Sequence, residues 1–310
     1  MSISFGLFTT DLDANNQDRA HRKAALYFAK HMYARAAVTD QKVVLTAPRH
    51  IEAQALLKEL EGINPHYLYG LHETGFTSEI DYISDIRKVW QYSTAFYNYD
   101  STWGLASFSL NNATRFGETS NQGMFSILPV IDNHLYFRLT AAYANQPLLF
   151  PHYVGGAEIY VSGALGELSI GGSDSFILPK ISFVQYTGSI SKEWQQYWAS
   201  FRPYYYIPRH GPRSLLYTGT LIRYFGPKDI YARVTVGSGT TPDLANLTTV
   251  DFLQIKNNFV TVIVQFPVIN HSFLFHFGGD YQRWIFPSSR VRNISGIILG
   301  FSYRFQKLPL

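Results

Sequence analysis

Beyond Asn64-Pro65, apolar and polar residues alternate along the chain. Leu135, Phe137, Leu139, Ala141 and Tyr143 share one parity, and Tyr136, Arg138, Thr140 and Ala142 take the other. Tyr197, Ala199 and Phe201 oppose Gln196, Trp198, Ser200 and Arg202 in the same way. Ala232, Val234 and Val236 oppose Tyr231, Arg233 and Thr235, and Val260, Val262, Val264 and Phe266 oppose Thr261 and Gln265. Near the C-terminus Phe273, Phe275, Phe277 and Tyr281 oppose His276, Asp280 and Gln282. A period of two is that of a strand, whose successive side chains point to opposite faces. Cut at its turn residues, the pattern predicts strands over 67–78, 88–99, 102–115, 120–131, 134–145, 150–161, 164–175, 179–190, 194–206, 212–225, 229–238, 255–267, 271–283 and 291–305. That makes about 14, an even number, and several reach the nine to eleven residues needed to cross a bilayer.

Residues 17–61 carry a helical pattern instead. Gln17–Lys30 holds Ala20, Ala24, Leu26, Tyr27 and Phe28 without Pro or Gly, and Tyr33 to Val44 continues in that style. Pro48 marks a turn, after which Ile51, Ala55, Leu56 and Leu60 set an apolar stripe that Gly62 ends. The expected architecture is an all-β transmembrane antiparallel β-barrel of about 14 strands with a short α-helical N-terminal extension. Residues 1–64 form the helical part and 65–310 the barrel.

Composition sharpens this reading. Aromatic residues are 16% of the chain while Asp, Glu, Lys and Arg together are 15%, well below the quarter usual in soluble domains. The balance is made up by Tyr, Ser, Thr, Asn and Gly, which suits a wall with one lipid-facing and one wet side. No run of 18 apolar residues exists, so an α-helical span is excluded. A soluble β-sandwich would need a dry inner face, whereas here the polar parity carries Arg138, Glu158, Arg202, Arg233 and Asp280. Tyr and Trp crowd the strand ends, as at Trp194–Trp198, Tyr204–Tyr206 and Tyr281–Trp284, in the manner of interfacial girdles. A net charge of +4 without a basic cluster argues against nucleic acid, and the absence of cysteine excludes thiolate chemistry. The opening MSISFGLFTTDLD has neither the basic start nor the apolar core of an export signal. For a protein of the outer membrane, the expectation is that this sequence lacks the exported N-terminus.

Several segments resemble the YaiO family of outer-membrane β-barrel proteins, which commonly join tetratricopeptide-type helices to a C-terminal barrel. They are Asn112-Ala113-Thr114-Arg115-Phe116-Gly117, Phe150-Pro151 followed by Gly156-Ala157-Glu158-Ile159-Tyr160, and Tyr186-Thr187-Gly188-Ser189. Phe201-Arg202-Pro203-Tyr204-Tyr205, Arg223-Tyr224-Phe225-Gly226, Gly237–Asp243 and the final Tyr303-Arg304-Phe305 continue the series. Their order over residues 67–305 carries the resemblance, each piece alone being weak. It implies location in the cell outer membrane and a porin-like barrel. The helices amount to little more than one tetratricopeptide-like repeat, Tyr33–Gly62 fitting best, short of the three or so needed for a solenoid. They are expected on the periplasmic side, because both ends of an even-stranded barrel emerge on one side.

Chemistry is expected on the polar, lumen-facing parity. Arg138, Glu158, Arg202, Arg223, Arg233, His276 and Asp280 are the candidate lumen residues. They read either as a constriction that selects for charge or sugar hydroxyls or as an ion-pair network bracing the wall. Glu158 and Arg202 are both expected to point inward. His276 and Asp280 share a parity but lie four residues apart, about 13 Å along a strand. A Ser-His-acid set would therefore need Ser200, Ser295 or Ser302 from neighbouring strands. No catalytic set, cofactor motif or metal-ligand spacing stands out. Gly237-Ser238-Gly239 reads as a barrel turn rather than a phosphate loop, and about Ser238 to Asp251 reads as a long extracellular loop.

The function expected is an outer-membrane pore or scaffold, with envelope or exopolysaccharide export suggested by analogy with repeat–barrel fusions. A lipid-modifying hydrolase or acyltransferase and a structural or adhesion barrel are the alternatives. The partners expected are outer-membrane lipid and lipopolysaccharide, together with periplasmic or inner-membrane polysaccharide machinery, and not nucleic acid.

Overall fold

A computed structural model gives the fold. It describes residues 17–18, 20–25, 36–37, 39–40, 43–44, 47, 50–63, 71–101, 103–131, 134–146, 149–163, 165–178, 181–225, 229–241, 255–269 and 272–306. The helix α1 (Ile51–Ile63) precedes fourteen strands, and helical residues also occur among the described positions 17–25 and 36–44. The first seven strands are β1 (Leu71–Ile83), β2 (Lys88–Ser101), β3 (Gly104–Arg115), β4 (Glu118–Pro129), β5 (Leu135–Ala144), β6 (Tyr153–Gly163) and β7 (Gly166–Leu178). The second half comprises β8 (Ile181–Trp194), β9 (Tyr197–Pro208), β10 (Ser214–Tyr224), β11 (Tyr231–Thr241), β12 (Ile255–Ile269), β13 (Phe273–Ile285) and β14 (Val291–Gln306). Each strand lies beside its neighbours in sequence and β14 closes onto β1, so the strands make one closed barrel. Closure leaves no sheet edge, as lipid requires.

The alternation read from the sequence sorts side chains between the two faces of this wall. Leu139, Ile159, Ile170, Phe201, Leu221, Val262 and Phe277 are exposed on the outside. Their neighbours along each strand face the lumen. Outward-pointing charges among the described residues are Asp174, Lys192, Arg223, Lys256 and Arg283, and all lie within four residues of a strand end. Near a rim a charged head reaches the headgroups, and the cost of lipid exposure falls away. Exposed aromatic rings band the rims. Tyr97, Trp194, Phe225 and Tyr303 lie towards the rim of the barrel's first and last residues, and Tyr82, Tyr143, Tyr153 and Tyr281 towards the opposite one.

The connections differ between the rims. At the rim of the termini, Gly163 pairs with Gly166 and Trp194 with Tyr197 across two-residue turns. The opposite rim carries the connection between Thr241 and Ile255. The β3–β4 turn puts both Phe116 (φ 57°) and Gly117 (φ 89°) in the left-handed region, the signature of a type I′ hairpin. Gly117 adopts it freely; Phe116 is held there by its ring, which meets Trp90 edge-on at 5.2 Å.

Near that same rim two apolar clusters are buried on the inward face. Ile83, Trp90, Ile255, Trp284 and Ile294 pack as one buried cluster, and Ile177, Phe183, Tyr206 and Leu216 as another.

The described contacts divide the chain into two compact units. One takes in the helical residues with the strand ends Leu71–His72 and Tyr99–Ser101, and the other holds Glu73–Asn98 and Leu105–Arg304. Within the first, Ala24, Ala36, Ala37, Leu56 and Leu60 form the core. Asp40 is fully buried with His21 Nδ1 3.0 Å away. Burial pushes the Asp40 carboxyl up from its ordinary value, while the contact with His21 works in the other direction.

Two expectations need correction. The first strand runs to Ile83, beyond the expected 78, because the acidic Glu79 and Asp81 face inward and alternate with outward Ile80 and Tyr82. Gly237–Gly239 is not a turn but part of β11, paired with Phe259–Asn257 of β12. Its glycine at 237 accommodates the Phe259 ring, which a methyl group there would strike. Of the loop expected over Ser238–Asp251, the residues from 242 on lie outside the described ones, as do helical positions 26–35 and strand positions 67–70.

Candidate functional site: the charged lumen wall

Strands β5–β9 carry the densest polar network. Glu158 of β6 lies opposite Gly171 of β7, whose missing side chain lets the glutamate lie along the wall. Glu158 is 8% exposed. It accepts hydrogen bonds from Tyr160 Oη at 2.7 Å, Ser169 Oγ at 2.5 Å and Arg202 Nη1 at 2.7 Å. Ser169 of β7 and Ser189 of β8 stand 2.6 Å apart between the two charged residues, and Arg202 Nη2 donates to Ser189 Oγ at 3.3 Å. Glu158 on β6 and Arg202 on β9 therefore meet across two intervening strands, because both of those strands present a serine at that level. A buried carboxylate with three donors is electrostatically satisfied.

A second rung lies beside it. Glu167 of β7 accepts from Tyr136 Oη of β5 and from Ser162 Oγ at 3.0 Å, with Ser191 Oγ at 3.4 Å. Tyr136 stacks on Tyr160 at 4.6 Å with 6° between the rings. Arg138 is opposite Glu158 in register, yet its guanidinium lies 5.6 Å over the Tyr160 ring. Arg138 is exposed within the lumen. Two cavities, about 530 Å³ and 350 Å³, share Arg138, Arg202 and Tyr204 in their linings. Trp198, Ser200, Thr218, Thr220 and Thr235 complete much of the larger one.

The remaining sequence candidates are placed as follows. Arg233 has the inward parity of Thr235, opposite Ile263. His276 faces inward, its Nε2 3.2 Å from Thr77 Oγ1 and its ring over Gly300. Asp280 is buried at 9% exposure and stands near Glu79 and Asp81, not near His276. Arg223 departs from the lumen expectation. It has the parity of Tyr217 and Leu221, both exposed on the outer face, and its guanidinium lies 4.9 Å over Phe225 and 5.8 Å over Tyr197. One residue from the end of β10, it belongs to the interfacial girdle, where an arginine on the lipid parity reaches headgroups. Of the serines, Ser200 lines the larger cavity, Ser302 is fully buried and Ser295 is exposed on the outward parity. Among the described residues, the hydrogen bond of His276 to Thr77 assembles no serine–histidine–acid set.

Several lumen residues were not singled out by sequence. Glu79, Asp81, Tyr136, Tyr160 and Glu167 all sit at inward positions, where an acid or a phenol two residues from another polar group was the available signal. Arg304 of β14 pairs with Glu73 of β1 at 3.1 Å and with Asp229, whose position in a connection hid it. At the opposite rim Asp85 is bridged by Arg290 and by Arg292 Nε at 3.1 Å. Partial burial opposes ionisation there, but hydrogen bonds from Arg290 and Arg292 prevail and hold the Asp85 carboxyl below its usual range.

No curated protein matches the chain significantly. Among solved structures, the CymD monoaromatic hydrocarbon channel is similar at 11% identity, a TM-score of 0.49, and coverage of 80% of this chain and 93% of that one. Omp33 of Acinetobacter baumannii aligns at 8% identity and TM-score 0.44 over 76% of this chain and 98% of its own. An anion-selective porin from Comamonas acidovorans aligns at 7% identity and TM-score 0.42, covering 76% and 99%. The model of the YaiO membrane beta barrel domain matches residues 72–244, more than half of the chain. The protein is an outer-membrane β-barrel, and it belongs to the YaiO membrane beta-barrel family.

Proposed function

We propose that this barrel is an outer-membrane pore for small hydrophilic solutes, with the lumen-exposed Arg138 giving it a preference for anionic or hydroxyl-rich ones. The observation that carries the reading is the pair of lumen cavities sharing Arg138, Arg202 and Tyr204. Arg202 is largely consumed by Glu158, whereas Arg138 is exposed beside both cavities. A cation on a water-lined wall raises the local concentration of anions and lowers that of cations. Stacked tyrosines next to guanidinium groups also offer flat apolar faces and hydrogen-bond donors, the combination that holds a sugar ring. That favours envelope or exopolysaccharide passage as the more specific form of the proposal. The short turns at the rim of the termini support placing that rim in the periplasm. The helical residues, as a remnant of a tetratricopeptide-type unit, then present a surface to periplasmic machinery.

Reconstitution in a planar bilayer tests the pore. Stable conductance with a reversal potential on the anion side is expected, together with faster swelling of liposomes in sugar than in control vesicles. Arg138→Glu should move the reversal potential towards cations. A correctly folded barrel that passes neither salt nor sugar would remove the pore reading, and phospholipid cleavage by it would favour an enzyme.

A further inference from the structure

Three carboxylates meet on the inner wall where the barrel closes. Glu79 and Asp81 come from β1 and Asp280 from β13, and an oxygen of each lies within 4.8 Å of the others. Between those strands runs β14, whose Gly296 is the register partner of Asp280. Asp81 is 6% exposed and Asp280 9%. Asp280 Oδ2 accepts from Gln282 Nε2 at 2.9 Å, and Gln282 in turn accepts from Trp284 Nε1 at 3.1 Å, so the carboxylate is held from behind. The Oδ1 atoms of Asp81 and Asp280 are buried and accept no hydrogen bond among the described residues. Both point to the same place: a methyl group at Gly296 would strike the two bare oxygens together.

Buried bare oxygens aimed at one point are costly unless a positive group fills it. Arg115 is the cation whose field reaches Glu79 and Asp81. Arg292 is engaged by Asp85. Three carboxylates gathered around one guanidinium carry an excess of acid groups that a divalent ion would neutralise on binding. The donors are all carboxylate oxygens, a set that favours hard cations over zinc or copper, which draw on nitrogen and sulfur ligands. Calcium accepts irregular ligation completed by water, whereas magnesium demands a near-octahedral shell.

We infer that Glu79, Asp81 and Asp280 form a calcium-class cation site that ties β1 to β13 across the closing strand. The ion would take the bare Oδ1 atoms of both aspartates and an oxygen of Glu79, with lumen water completing its shell. It locks the seam at which the first and last strands of the barrel meet. The alternative is a cluster neutralised by a shared proton, which has no use for the ion.

The test uses the full chain, refolded in detergent free of lipopolysaccharide and stripped with EDTA. Terbium is added as a luminescent calcium substitute with Trp284 nearby as sensitiser, and calcium is then titrated against it. The expected result is saturable luminescence displaced by calcium, and a melting temperature that rises with calcium concentration. Asp280→Asn should weaken calcium binding by at least about 10- to 100-fold, the range seen on losing even a supporting partner of a metal ligand. Gly296→Ala keeps every charge and fills the space, so it should abolish the luminescence while Asp174→Asn, on the outward parity, leaves it unchanged. The inference fails if the unsubstituted protein shows no displaceable luminescence, or if a calcium-induced shift persists in both Asp280→Asn and Gly296→Ala. It also fails if Asp280→Asn raises the melting temperature equally with and without calcium, the mark of relieved carboxylate repulsion. Should Asp280→Asn not fold, Asp81→Asn provides the same comparison.

Discussion

Arg202→Ala is the most informative perturbation of the lumen wall, because it strips one partner from a pair whose other member is deeply buried. Glu158 and Arg202 are 2.7 Å apart with side chains 9% and 20% exposed. Removing one partner of a fully buried pair costs about 3–5 kcal/mol. Here Glu158 keeps its donors from Tyr160 and Ser169, and the space left by the guanidinium adjoins cavities that admit water. The expected loss is therefore smaller, about 1.5–3 kcal/mol, the worth of a hydrogen bond to a charged group. Glu158→Gln leaves Arg202 free to hydrate in the larger cavity and should cost about 1 kcal/mol. In the double variant neither charge is stranded, so the losses should fall short of their sum by about 1–2 kcal/mol.

Equilibrium unfolding in urea, followed by tryptophan fluorescence in lipid vesicles, measures all four corners of this cycle. Reversal potentials on the same proteins separate bracing from selection. A bracing pair predicts lost stability with little change in ion preference for Arg202→Ala, whereas Arg138→Ala should do the opposite because Arg138 has no ion pair among the described residues. Additive losses, or an Arg202→Ala protein within about 0.5 kcal/mol of the unsubstituted one, would refute the reasoning.

Three further outcomes follow from the same wall. Val262→Arg, on the lipid face near the middle of β12, should destabilise the barrel by about 2–4 kcal/mol, whereas Thr261→Arg on the lumen face should cost much less; equal effects in vesicle unfolding would mean the faces are misassigned. Asp85 has a depressed folded-state pKa, so it adds stability above its unfolded value of about 3.9 and loses it as pH falls through the folded value. Asp85→Asn should accordingly lower stability at pH 7 and flatten its decline in acid, and an unchanged pH profile by heat-modifiability on gels would contradict that. A tag placed before Gln17 should resist protease added to intact cells, and cleavage there would put the helical residues outside.

The strand pattern was legible because lipid on one side and water on the other impose a period of two with few exceptions. Its ends were less so. Strand β1 runs past the expected 78 to Ile83, because Glu79 and Asp81 share one inward row, a fact visible only once the strand is placed in the wall. Arg223 illustrates the converse: a charge usually marks the lumen, but one residue from a strand end it can share the lipid parity. That Glu158 and Arg202 face inward could be argued from parity. That they touch could not, since their meeting depends on the register of β7 and β8 and on small side chains at 169 and 189. The cluster of Glu79, Asp81 and Asp280 was hidden for the same reason, its members being some 200 residues apart in sequence and adjacent only through closure.

A common device underlies these lumen contacts. Gly171 lies beneath Glu158, Gly296 beside Asp81 and Asp280, Gly300 beneath His276 and Gly75 against Phe96. In each case a long or charged inward side chain lies along the wall over a glycine of the neighbouring strand, where any Cβ would push it into the lumen. Glycine in a strand interior costs roughly 0.5–1 kcal/mol relative to alanine, so several such positions on one face need a return. The return is geometric: side chains laid flat can meet across two intervening strands, as Glu158 and Arg202 do. On this reasoning Gly171→Ala should disturb Glu158 although it adds only a methyl group, lowering stability and altering conductance together. A serine at the same site, with an equally placed Cβ, should not rescue either property. Rescue by serine would show that polarity, and not the flat course of Glu158 along the wall, is what position 171 supplies.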